Sequence, residues 1–383
     1  MKSCGIDILG MRLIYLANIR FPTEKAHGYQ IAKMCEAFAE LGLGVELVIP
    51  TRRNFLSSED PFFYYGLKRN FKLVRINCID FFDLMGDLAG YWLQSLIFLF
   101  KLIFYKVDKE DIIYTRNPEI AWLFGLRNNK VVYEAHTWPT SKIILYKYFL
   151  RRTRHIITIT EGVKDLFQKN NFNQSKILNA PDGVDLKQFD ISVNKQEARE
   201  KLNLPLNKKI IVYTGHLYGW KGADVLVEAA TMFSKDILVY LIGGTHQEIS
   251  VFKEKYTAAN LNIVGFRPHS EIPIWLKTAD VLVLPNKRGE KISEIYTSPL
   301  KLFEYMASGR PIIASDLPAL REILNEKNAL LIAPGDSRAL IDGINKLLNN
   351  EEFGLKLSDS AHLDVQKYSW IKRAEQILHF IRG

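Results

Sequence analysis

The amino-acid sequence predicts an α/β protein built from two doubly wound, Rossmann-like domains. Two series of short apolar runs alternate with helical patterns, a polar stretch separates the series, and 383 residues are too many for one ordinary core. Apolar runs of this length, divided by helices, mean parallel sheets covered on both faces. Such folds bind ligands outside the carboxyl ends of their strands, and the expected arrangement has the two domains facing each other across a cleft.

The first series opens with the buried-strand run Met11–Ala17 (MRLIYLA), then a loop through Gly28 and a helical pattern from Tyr29 to Leu41, ended by Gly42. Strands follow at Val45–Pro50, Leu73–Asn77, Ile112–Thr115, Val131–Glu134 and Ile156–Thr160. The second series restarts with the strand Lys209–Thr214 and helix Ala223–Phe233. Strands Leu238–Ile242 and Asn262–Val264, helix Pro273–Thr278, strand Val281–Leu284, helix Leu300–Ala307 and strand Pro311–Ala314 complete it. Between the series, Gly183–Leu206 is polar and weakly periodic, as suits an interdomain connection. The expected domains are residues 1–190 and 191–365, with a C-terminal helix over 366–383 packing back on the first.

Hydrophobic residues at 48% and charged residues at 24% give a globular composition, not a disordered or fibrous one. The three cysteines, Cys4, Cys35 and Cys78, offer neither a disulfide framework nor a metal-ligand spacing, which points to a reducing, cytoplasmic setting. The net charge of +9 leans toward residues 1–190, where 26 Lys and Arg stand against 20 Asp and Glu. That excess suits phosphorylated ligands or anionic lipid. Nucleic acid is set aside, because no RNP-like, zinc-finger or arginine-rich pattern accompanies the charge.

Lys2 could open a signal sequence, but Asp7 and Arg12 interrupt the apolar run and no small-residue cleavage site follows. The most apolar stretch, Tyr91–Tyr105, is shorter than the roughly 20 residues a membrane span needs, and it carries Gln94, Ser95 and Lys101. Two readings of it stay open. It is either a helix buried against the first sheet or a surface that docks on a membrane. In the second case Lys68, Arg69, Lys72, Arg75, Arg151, Arg152 and Arg154 would meet anionic headgroups.

The strongest local signal is Tyr296–Gly309 (YTSPLKLFEYMASG). Ser298 is the expected N-cap, Pro299 the first helical residue, and Gly309 the end. The helix start would offer free N–H groups to an anion. Glu304 lies too far along the helix to gain much from its dipole. It could accept two hydroxyl hydrogen bonds, as a ribose would offer; a solvent-facing glutamate is the alternative. A second signal, Thr214–Gly222 (TGHLYGWKG), follows one strand and precedes a helix. Gly215, Gly219 and Gly222 permit close backbone approach, and Lys221 can serve as a point charge for phosphate, with a solvated lysine as the alternative. No Walker or G-x-G-x-x-G pattern is present. His136 stands at the carboxyl end of the strand in VVYEAHTWP, where a ligand-facing residue belongs, although a lone histidine there is more often structural. No paired-carboxylate, Ser-His-Asp or metal-ligand set emerges.

Taken together and in this order, these elements resemble the retaining glycosyltransferases of glycosyltransferase family 4, which have the GT-B fold. The resemblance covers nearly the whole chain. It runs through Ala180–Asp185 (APDGVD), Tyr213–Gly222, the Gly243–Gly244 turn, Val264–Pro268 (VGFRP), Ala279–Pro285 (ADVLVLP) and Ser298–Asp316. It implies a nucleotide-sugar donor carrying UDP or GDP, with Gly28, Gly215, His216 and Lys221 about its phosphates and Glu304 on its ribose. The backbone near Phe266, Arg267 and Pro268 would meet the base, and the segment Ser298, Pro299 and Leu300 would meet phosphate or sugar.

His136 would stand at the reacting centre, while His27 receives no role. The family commonly has arginine where His216 stands, and an acid where Tyr296 stands. Tyr296 and the nearby Glu294 are therefore the candidates for contact with the donor sugar. No metal or other cofactor is expected: Lys221 and the helix start would stabilise the leaving diphosphate. The acceptor hydroxyl would attack from the leaving-group face, with retention. The acceptor would be a glycan or lipid-linked molecule of cell-surface polysaccharide assembly, approached from the cytosolic face by a peripheral enzyme. Two alternatives stand beside this one. A GT-B nucleotide-sugar epimerase would need acid–base carboxylates, and a non-catalytic nucleotide-sugar binding protein would accommodate the loss of the acid at Tyr296.

Overall fold

The computed structural model describes residues 10–79 and 87–383, the side chains of residues 87–89 and of Tyr91 excepted. Lys2, Cys4 and Asp7 lie outside the described residues. The chain divides into two compact units. The first holds the described residues up to Ile159, with Val163–Ala180 and Trp370–Gly383; the second holds Thr160–Gly162 and Pro181–Ser369.

The first unit is built on seven strands: β1 (Arg12–Leu16), β2 (Gly44–Pro50), β3 (Lys72–Ile76), β4 (Ile112–Thr115), β5 (Lys130–Ala135), β6 (His155–Thr158) and β7 (Ile177–Asn179). They pair in the order β3-β2-β1-β4-β5-β6-β7, parallel throughout. The order reverses between β1 and β4, and a doubly wound sheet binds its ligands at the carboxyl ends beside such a reversal. Leu13, Ile14, Tyr15 and Leu16 are fully buried, which is why β1 reads as an unbroken apolar run.

The second unit has six strands: β8 (Lys209–Thr214), β9 (Ile237–Ile242), β10 (Leu261–Gly265), β11 (Val281–Leu284), β12 (Ile312–Ser315) and β13 (Leu330–Ile332). Their order is β10-β9-β8-β11-β12-β13, again parallel, reversing between β8 and β11. Period-two alternation divides the core cleanly. Ile210, Val212, Leu282 and Leu284 join one hydrophobic cluster with Leu302 and Phe303. Ile211, Tyr213, Val281 and Val283 join another with Leu226 and Ile344. Two doubly wound parallel-sheet units are what the alternating pattern predicts.

One local expectation is corrected and two are narrowed. Gly183–Leu206 is not a loose connection but part of the second unit, where it forms the helices Leu186–Phe189 and Lys195–Lys201. Its polar composition hides a buried anchor: the Arg199 guanidinium donates to the Thr278 carbonyl and to Asp280. The stretch around Tyr91–Tyr105 forms the helix Asp87–Ile103, and its apolar residues are not all interior. Phe98 and Leu102 are buried with Gln94 and Ser95, whereas Trp92, Leu96, Phe100 and Phe104 are exposed. Finally, the last helix begins at Trp370. It packs within the first unit on the helix Ala26–Glu40, burying Trp370, Ala374, Ile377 and Leu378 at helical spacing.

Candidate functional site

Each unit gathers polar side chains at the carboxyl ends of its strands. In the first, β5 delivers Glu134 fully buried, and a buried carboxylate needs partners for both oxygens. Oε1 accepts from Gln30 Nε2 at 2.9 Å and lies 2.9 Å from Arg116 Nη2. Oε2 accepts from both terminal nitrogens of Arg373 at 3.2 Å and from the Tyr114 hydroxyl. Burial alone would raise this carboxyl's pKa, but the charges of Arg373 and Arg116, with His136, hold it well below the usual range.

His136 stands two residues on, its Nε2 2.6 Å from Glu134 Oε1. An ionised carboxylate only accepts, so Nε2 carries the proton, and in the neutral ring Nδ1 is the acceptor. His27 falls within electrostatic reach of His136. Its pKa drops to about 4, chiefly through burial and then through Arg116 and Lys25, so it is neutral near pH 7. Gly28, beside it, has a packing reason to be glycine. A β-carbon there would lie 2.3 Å from the Tyr65 hydroxyl, which bonds the Thr23 backbone at both N–H and carbonyl.

In the second unit β8 runs into Gly215 and the single turn Gly219–Lys221. Gly222 closes the turn at a φ of 72°, and a β-carbon there would stand 1.8 Å from the Pro285 carbonyl oxygen. Only glycine permits that approach. The Lys221 ammonium lies 5.1 and 5.4 Å from the ring centroids of Tyr218 and Trp220. Burial lowers its pKa to about 8, against the pull of Glu248. His216 is committed to the turn: Nδ1 sits 3.0 Å from Glu248, and its ring stacks parallel to Tyr218 at 5.0 Å.

The expected cap of the next helix is corrected. The helix spans Leu300–Ser308, with Pro299 as an extended N-cap residue and Gly309 as the left-handed C-cap. Ser298 does not cap it, because its hydroxyl accepts the Asp182 N–H at 2.9 Å instead. No side chain caps this end, which leaves its first N–H groups to water or an anion. The Tyr305 hydroxyl accepts the Thr214 N–H at 2.7 Å and so pins the helix to the end of β8.

Glu304 is 7% exposed, which disposes of the solvent-facing alternative. Its Oε1 lies 2.8 Å from His269 Nε2, and His269 Nδ1 faces Gln188 Nε2 at 2.9 Å. Phe266 is half exposed, and Arg267 folds onto the Phe266 carbonyl and Glu271. Glu294 lies on the short helix Lys291–Glu294 and accepts the Gly289 N–H at 3.0 Å. Tyr296 is partly buried, which raises its hydroxyl's pKa.

Sequence reasoning missed Glu134, Arg373, His269 and Lys301 as members of these clusters. Arg373 and His269 are distant in sequence from the residues they touch, so no local spacing could reveal them. Among the described residues no group of His, Cys, Asp and Glu side chains could hold a metal ion, and no helix is long and apolar enough to cross a membrane.

Comparison with known proteins gives one direction. The family model described as Glycosyltransferase Family 4 matches residues 28–188, and that for Glycosyl transferases group 1 matches residues 194–363. A D-inositol 3-phosphate glycosyltransferase of Corynebacterium urealyticum is 24% identical over 314 residues, covering 77% of this chain and 70% of that relative. The Escherichia coli UDP-Gal:alpha-D-GlcNAc-diphosphoundecaprenol alpha-1,3-galactosyltransferase is 26% identical over 312 residues, covering 74% of this chain and 78% of that enzyme. Among solved structures, Anabaena HepE in complex with UDP and glucose superposes with a TM-score of 0.73 at 15% identity, covering 97% of this chain and 100% of HepE.

Proposed function

Because this chain belongs to the group 1 glycosyltransferases of family 4 and has their GT-B fold, we propose that it is a retaining, nucleotide-sugar-dependent enzyme of cell-surface polysaccharide assembly. It moves a sugar from a UDP- or GDP-linked donor to a glycan or lipid-linked acceptor. The observation that carries the donor side is the cluster at the reversal of the second sheet. There Gly215, Lys221 and an uncapped helix start adjoin, with Glu304 buried one turn further on. Lys221 and the N–H groups near Leu300 take the diphosphate and its charge as the bond to the sugar breaks. The leaving group's charge is thus assigned to protein groups, without a metal ion or other cofactor.

Glu304 holds the ribose, its second oxygen complementing the one on His269. The backbone at Phe266 and Arg267 meets the base. Tyr296 and Glu294 face the donor sugar, while Gly28 and His136 belong to the reacting centre. The activity for which the Escherichia coli relative is named, from UDP-galactose to a diphosphoundecaprenol-linked sugar, supports both the donor class and a lipid-linked acceptor.

The enzyme works from the cytosolic face as a peripheral protein, a reading supported by the exposed apolar residues Trp92, Leu96, Phe100 and Phe104. The cation Lys142 lies 5.9 Å from the Trp92 ring centroid, and an exposed apolar stripe with a cation beside it suits an anionic membrane. The test is a transfer assay with purified protein, UDP- and GDP-sugars, and lipid-linked and free glycan acceptors, with the product's anomeric configuration read by NMR. A product that keeps the donor's configuration is expected. An inverted product, or epimerised donor formed without acceptor, contradicts the reading.

A further inference from the structure

Lys301, the second residue of the helix Leu300–Ser308, is 7% exposed, and its Nζ has no hydrogen-bond partner. A buried ammonium without a partner is among the costlier arrangements a fold can hold. Its nearest compensation is the face of Tyr213, whose ring centroid lies 3.9 Å from Nζ. Burial and the neighbouring Lys221 both disfavour its charged form, opposed only by Glu304. Two like-charged side chains thus converge on one spot. The nitrogens of Lys221 and Lys301 each lie 3.9 Å from the point a β-carbon on residue 215 would occupy, and residue 215 is glycine.

The two carboxylates that favour the charged forms, Glu248 and Glu304, both have other partners. His216, on the same turn, is engaged with Glu248, and Glu304 is engaged with His269. The helix start beside Lys301 lacks a side-chain cap and adds further positive character. Such a juxtaposition is unfavourable until something with more than one negative charge enters it. A nucleoside diphosphate supplies that, whereas a nucleoside does not.

We propose that Lys301 is a phosphate-binding residue, and that its Nζ and that of Lys221 hold the two phosphates of a nucleoside diphosphate about Gly215. This rests on the donor-site reading above and adds to it the second cation that a diphosphate requires. It also gives Lys301 a purpose that core packing does not, since methionine would fill the same space without an unpartnered amine.

Calorimetric titration with UDP, GDP, ADP and dTDP, and with the corresponding nucleosides, tests it on the full chain and on Lys301→Met and Lys221→Ala. For the diphosphate that binds, Lys301→Met should lose affinity by about ten- to a hundredfold, the range of a lost hydrogen bond to a charged group, with nucleoside affinity within a few-fold. The ligand-free Lys301→Met protein should melt no lower than the unsubstituted one, since it loses an amine that contributes nothing to packing. If Lys221→Ala weakens diphosphate binding while Lys301→Met does not, Lys301 is a core residue and the proposal is overturned, with the donor reading intact. A lower melting temperature with unchanged affinity overturns it in the same way. Should the unsubstituted protein bind none of the four diphosphates, the donor reading falls and this proposal with it.

Discussion

Glu134 is fully buried with both oxygens engaged, so its charge is balanced by protein groups rather than by water. Glu134→Gln would leave Arg373 and Arg116 partly uncompensated, and breaking a buried pair in this way costs about 3–5 kcal/mol. Urea denaturation should show a loss of that size; a loss under about 1 kcal/mol would make the network ornamental. The pH dependence has a definite sign. The carboxyl's pKa is depressed in the fold, so its contribution is present above the unfolded value of about 4.3 and is lost as pH falls below it. The unsubstituted protein should therefore lose more stability than Glu134→Gln on acidification from about pH 5.

His136, oriented by that carboxylate, should behave differently: His136→Ala should reduce turnover strongly while diphosphate affinity stays within a few-fold. Retained transfer would remove it from the reacting centre. Burial lowers the Lys221 pKa to about 8, so above that pH the amine should be largely neutral in the free protein and should take up a proton when an anion binds. Titration at pH 8.5 in two buffers of different ionisation enthalpy should reveal proton uptake on diphosphate binding, and zero uptake would count against the phosphate role.

The helix Asp87–Ile103 shows how an element can mislead when only its composition is read. Its inward face carries Gln94 and Ser95 as well as Phe98 and Leu102; Ser95 accepts from Asn18 at 2.8 Å, and Gln94 donates to the Thr51 carbonyl. Its outward face carries Trp92, Leu96 and Phe100, and the exposed Phe104 follows directly after it. If that face docks on lipid, the protein should co-sediment with anionic vesicles and release as salt rises. Phe100→Glu should abolish co-sedimentation without lowering the melting temperature, because the residue is 60% exposed. Equal binding to neutral and anionic vesicles, or no binding, would rule the docking out.

Elsewhere the elements are legible where periodicity is strong. Strands β8 and β11 stand out because both faces are covered. The edge strands β7 and β13, three residues each, have too few buried positions to do so. The turn at Lys221 and the helix carrying Glu304 are legible because glycine and proline mark them. The cap differs from the local motif because the Ser298 hydroxyl is used by Asp182, a long-range contact that such a motif cannot anticipate.

At the scale of the molecule, both sheets repeat one plan. Each reverses its strand order near its centre and presents a polar cluster at the carboxyl ends, around Lys221 at the reversal in the second unit and around His136 one strand beyond it in the first. The helix Trp370–Arg382 completes the first unit by supplying Arg373 to Glu134, so the first unit's buried charge depends on the last residues of the sequence. In the proposed function the second unit holds a nucleotide by its diphosphate. Titration of the unsubstituted protein and Lys221→Ala with UDP, GDP, ADP and dTDP, and with the matching nucleosides, tests this. At least one diphosphate should bind, and Lys221→Ala should weaken it by about tenfold or more while nucleoside affinity barely moves. If no diphosphate binds, or if the substitution weakens diphosphate and nucleoside equally, the nucleotide is not held there.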